Sequence, residues 1–133
     1  MENKSITINL TDEQCEEIFY NALCNGLGYI SGYGLKLCYN KEQYEAAKQS
    51  IAKEGVTTCY EDVLMQILRQ GGFLRMRDIE GSEEPKTIKM QDVHSGVRKS
   101  DPYYVMEFIN EEDDADSADA IIQTVFFGEV IFG

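Results

Sequence analysis

Six carboxylates fall within nine residues of this chain: Glu111, Glu112, Asp113, Asp114, Asp116 and Asp119. Side chains of that type and spacing could hold a hard cation, act as a general acid and base, or project a field of one sign. A calcium loop starting at Asp114-x-Asp116 fails at three later positions. Ala118 stands where a third ligand belongs, Asp119 where the sharp turn needs glycine, and Val125 where a closing glutamate would bind bidentately. Paired-carboxylate hydrolysis needs two acids held in a cleft with separated pKa values, and nothing in this spacing separates any pair. The field remains.

No other residue set argues for catalysis. A serine or cysteine nucleophile wants a base, and the single histidine, His94, sits beside Ser95-Gly96 without any G-x-S-x-G elbow. It reads as a surface residue near a helix end. Cys15, Cys24, Cys38 and Cys59 form no C-x-x-C pair and have no histidine beside them, so neither a zinc site nor any other metal site is expected. They read as reduced, structural thiols. No cofactor is expected. The glycines of Gly26–Tyr39 follow a helix, whereas phosphate-binding glycine loops follow a strand. That segment reads as a turn and irregular strand edge, with an aromatic ligand-contacting loop as the sharper option.

The acidity is confined to one end. From Asp101 onward the chain carries nine acids and no base, while the first hundred residues hold fifteen acids and twelve bases. A net charge of −12 repels nucleic acid and steers basic surfaces toward the C-terminal third. The candidate partner-binding residues are Glu107, Glu111, Glu112, Asp113, Asp114, Asp116 and Asp119. A competing reading makes the run a solvated linker whose last acids favour the dipole of the next helix. With 133 residues, 43% of them hydrophobic, a single globular domain with its own core is expected. No 18-residue apolar run or signal-peptide pattern occurs, so a cytoplasmic protein without membrane contact is expected.

The elements that position these residues follow from periodicity and caps. Residues 5–10 alternate as a short strand. Thr11 and Gln14 make a capping box for a helix with Cys15, Ile18, Phe19, Ala22 and Leu23 on its stripe, ending at Asn25-Gly26. Leu35–Tyr39 reads as a strand. Lys41–Glu54 reads as a polar helix with Tyr44, Ala47 and Ile51 inward, stopped by Gly55. A second box at Thr58–Glu61 opens a helix with Tyr60, Val63, Leu64, Ile67 and Leu68 at helical spacing, placed at the core's centre. Phe73–Ile79 and Lys86–Met90 form a hairpin. Gln91–Lys99 is a short helix with Val93 and Val97 inward. Asp101-Pro102 opens another carrying Val105, Met106 and Ile109. Ser117–Phe127 is the last, closed by Gly128. The fold class is α+β: four to six helices packed on a small antiparallel sheet containing the 73–90 hairpin. Its core is expected at Ile18, Phe19, Leu23, Val63, Leu64, Ile67, Leu68, Leu74, Ile121, Ile122 and Phe126.

Asp116-Ser117-Ala118-Asp119-Ala120-Ile121-Ile122-Gln123, running into Phe127-Gly128-Glu129-Val130-Ile131-Phe132-Gly133, resembles the ending of small, acidic accessory proteins of the anti-defence type encoded by phages and prophages. Gly71-Gly72-Phe73-Leu74-x-x-x-Asp78, with Thr87-Ile88 after it, fits the same pattern. The resemblance covers about the second half of the chain and transfers no catalytic residue. It implies a non-enzymatic inhibitor of a bacterial defence system, anti-CRISPR-like, in the cytoplasm of an infected or lysogenic bacterium. The acidic face would occupy the basic channel of a host nuclease. An alternative is a sponge for a cyclic-nucleotide signal. It would use Tyr29 and Tyr33 for stacking and Arg75, Arg77 and Arg98, with Lys86, Lys89 and Lys99, for phosphates, in a homo-oligomer. A phage structural or assembly accessory is the third option.

Overall fold

The computed structural model describes residues 8–80 and 84–132. In chain order the elements are α1 (Asp12–Gly32), β1 (Leu35–Tyr39), α2 (Lys41–Ile51), α3 (Tyr60–Arg69), β2 (Leu74–Asp78), β3 (Lys86–Ile88), α4 (Met90–Lys99), α5 (Pro102–Ile109) and α6 (Ala115–Phe127). The fold is α+β. Six helices pack with a three-stranded antiparallel sheet of order β1-β2-β3. Leu35 pairs with Asp78 and Tyr39 with Leu74 across one ladder; Leu74 pairs with Ile88 and Met76 with Lys86 across the other. Leu35, Leu74, Met76 and Ile88 are buried on the helix side, while Lys36, Arg75, Arg77 and Thr87 are exposed on the opposite face. All eleven expected core residues are buried.

The centre of that core is α6, not α3. Every residue from Ser117 to Phe126 is buried, and the helix contacts α1, α4, α5 and β3. Its polar members survive burial because they bond to one another and to backbone, as buried polar groups must. Two glycines let neighbouring helices close on it. A Cβ on Gly26 would lie 3.0 Å from the Ala118 carbonyl carbon and 2.9 Å from Ile122 Cδ1. One on Gly96 would lie 2.7 Å from Val125 Cα.

That packing corrects the expected end of the first helix. Gly26 sits inside α1 as a contact residue, and the helix continues another turn and a half through Gly28 and Gly32. No glycine–tyrosine loop exists there. Tyr29 rides on the helix and Tyr33 caps it. Gly34 and Gly71 do take positive φ, +80° and +84°, where glycine has no Cβ clash to overcome.

Other boundaries moved by small amounts. Of the strand expected at 5–10, residues 5–7 lie outside those described and 8–10 adopt no regular structure. The Thr11–Gln14 box is present in both directions, at 3.1 and 2.9 Å. The box expected at Thr58 is not: Cys59 is the N-cap of α3 and makes no side-chain cap bond. α2 stops at Ile51, before Gly55. Met90 opens α4 instead of extending β3. α5 turns Val105 and Phe108 inward and leaves Met106 and Ile109 exposed, because it packs on α6 and α1 through the side that carries the first two. α6 begins two residues early, with Asp114 as N-cap and Ser117 returning the bond.

Candidate functional site

The acidic run is a tight connector between α5 and α6, not a loose linker. Its first acid reverses the chain: Glu111 takes φ +57°, and the Glu112 amide donates back to the Glu107 carbonyl at 2.8 Å. Asp113 Oδ2 accepts from Asn25 Nδ2 at 2.8 Å, which ties the connector to α1. Asp114 Oδ1 accepts from the Ser117 amide at 2.9 Å, and this bond holds its carboxyl below the usual range. The backbone of the connector is therefore fixed by specific bonds, as are the carboxylates of Asp113 and Asp114.

Glu111, Glu112, Asp114 and Asp116 are exposed, and Glu107 and Asp113 are half-buried. Among the described residues, none of the six is ion-paired. Partial desolvation and then the charges of Asp114, Glu112, Asp113 and Asp116 push the Glu107 carboxyl up. Tyr29 belongs to this end as well. The charge of Asp116, and then a hydrogen bond to it, push its phenol up.

Asp119, expected with the other acids of the run, is not on the exposed acidic surface. It is 6% exposed, and both oxygens are used inside the fold. Oδ2 accepts from the Tyr33 hydroxyl at 2.9 Å and Oδ1 from Gln123 Nε2 at 2.9 Å. Burial, followed by that bond to Asp119, pushes the Tyr33 phenol up to about 12. Gln123 also accepts from the Ile131 and Phe132 amides, each at 2.8 Å, and donates to the Phe132 carbonyl at 3.0 Å. The apolar tail thus folds back, with Phe132 stacked on Tyr33 at 5.2 Å.

One of the three carboxylates in the cleft beside the connector, Glu17, comes from α1 and was not among the expected site residues. Glu17 and Ile18 of α1 face Phe108, Ile109, Glu111 and Asp113 across a cleft of about 240 Å³. Its lining includes three carboxylates and no cation. Glu17 was missed because only its place off the apolar stripe was legible, and many outward helix positions share that property.

The residues of the alternative ligand site are not gathered. Arg98 donates to the Leu10 carbonyl at 3.0 Å and to Asp12 Oδ1 at 2.6 Å, at the start of α1. Tyr29 lies seventeen residues further along that helix, about 25 Å away at 1.5 Å per residue. Arg75 donates to Thr87 Oγ1 at 3.2 Å and lies over the Phe73 ring. Arg77 stands opposite Lys36 on the outer sheet face. Arg98 and Tyr29 therefore lie too far apart to hold one small ligand within a single chain.

His94 lies within α4 and is half-buried, not at a free helix end. Its Nε2 is 2.9 Å from Glu16 Oε2 and its Nδ1 is 3.7 Å from Asp12 Oδ1. Arg69 also approaches Glu16, at 3.8 Å. This network joins α1 to α3 and α4. The Arg98 hydrogen bond holds the Asp12 carboxyl below its ordinary value. Cys15, next to the network in sequence, is buried, and burial pushes its thiol up, away from nucleophilic use. Cys24 and Cys59 are exposed and Cys38 is half-buried, so Cys15 is the one cysteine of the four that is fully buried as a small hydrophobe.

Among the described residues no three metal-ligating side chains are grouped, and no helix is long and apolar enough to cross a membrane. No family model, no curated protein and no solved structure matches this chain.

Proposed function

We propose that the protein is a non-enzymatic inhibitor that docks its acidic end into a basic nucleic-acid channel. The partner in this reading is a nuclease or effector of a bacterial defence system, and the inhibitor is phage-encoded, as the C-terminal resemblance implies. One observation carries it: six carboxylates, Glu107, Glu111, Glu112, Asp113, Asp114 and Asp116, crowd one end without an ion-pair partner among the described residues, and hydrogen bonds orient those of Asp113 and Asp114. Holding like charges together opposes folding, and a basic partner surface would relieve that repulsion. Each exposed pair contributes at most about 1 kcal/mol, so several must act together.

The chemistry predicts competition. A nuclease or effector captured from bacterial extract at about 0.1 M salt should be displaced by its own nucleic acid. It should also release near 1 M salt, where the screening length has fallen from about 10 Å to about 3 Å. Capture that resists both salt and nucleic acid would contradict this reading.

A further inference from the structure

We infer that the cleft between α1 and the α5–α6 connector is a receptor for one arginine side chain of the partner; this rests on the docking function proposed above. The cleft combines two surfaces that an arginine needs. Ile18 and Phe108 are buried beneath it, and Ile109 is exposed in its wall. They offer an apolar bed for a three-carbon stem. Glu17 lines the cleft from α1, and Glu111 and Asp113 line it from the connector, so carboxylates are contributed by two separate elements.

That arrangement discriminates between the two basic side chains. A guanidinium is planar, weakly hydrated and presents five donors in a fixed fork, so it can meet more than one carboxylate while lying against apolar carbon. An ammonium is compact and strongly hydrated, and it loses more by leaving water for the same bed. Asp113 is already oriented by Asn25 at 2.8 Å, so this acceptor needs little ordering when the ligand arrives. The volume of about 240 Å³ fits one such side chain and not a folded element.

Hexa-arginine and hexa-lysine peptides, titrated calorimetrically against the full chain at about 0.1 M salt, separate this pocket from general acidic attraction. Hexa-arginine should bind about tenfold more tightly than hexa-lysine, a difference of about 1.4 kcal/mol. Ile109→Ala, at an exposed position, should keep the melting temperature and shrink the preference below about threefold by removing part of the bed. Asp113→Asn, which keeps an acceptor for Asn25, should shrink it as well. Equal binding of the two peptides, or an undiminished preference in both variants, overturns the pocket and leaves acidic docking standing. Binding of neither peptide also overturns the pocket, while docking is then judged on the captured partner alone.

Discussion

Gln123→Ala will destabilise the domain by about 3 kcal/mol, more than truncation of any exposed acid, because four hydrogen bonds, one buried and three part-buried, meet on one fully buried amide. The substitution leaves Asp119 with the Tyr33 hydroxyl as its remaining side-chain partner, and a buried carboxylate short of donors is costly. It also frees the Ile131 and Phe132 amides and with them the Phe132 ring stacked on Tyr33. Urea denaturation should show a lower midpoint, and tail amides at 131–132 should lose their protection from hydrogen exchange. A midpoint within experimental error of the wild type would mean that the buried amide network adds nothing.

Leu64→Ala is the second large effect. Leu64 is fully buried on α3 between Val63 and Met65, which are themselves buried. Truncation loses the transfer energy of the side chain and leaves a cavity, for a total of about 2–5 kcal/mol. That is a large share of the 5–15 kcal/mol typical of a domain. Thermal denaturation measures it. A loss below about 1 kcal/mol would place α3 at the edge of the core.

What the sequence disclosed follows the range of the interaction. Thr11 with Gln14, and Asp101 before Pro102, were legible because the bonding partners lie within three residues. Leu64, Ile122 and the other core positions were legible because apolar spacing reports burial directly. Gly26 was misread as a helix stop because its role is to admit Ala118 and Ile122 of α6, a contact that local sequence does not encode. Asp119 was misread as a surface acid for the same reason. Its neighbours in sequence are acidic and exposed, but Tyr33 and Gln123 satisfy it inside the fold. The negative charge of the candidate site was readable from composition. Its shape was not, because Glu17 and Asn25 reach the connector only through the packing of α1 beside α5 and α6.

The central claim is that the carboxylates of the connector form the binding face, and one variant tests it most directly. Glu111, Glu112, Asp113 and Asp114 are replaced together by serine. Serine at 114 keeps an N-cap acceptor for the Ser117 amide, so α6 should stay capped and the melting temperature should fall by only a few degrees. At about 0.15 M salt the account predicts that this variant no longer binds or inhibits the captured partner, since several of the screened contacts are lost at once. A folded quadruple variant that inhibits as well as the wild type would contradict it.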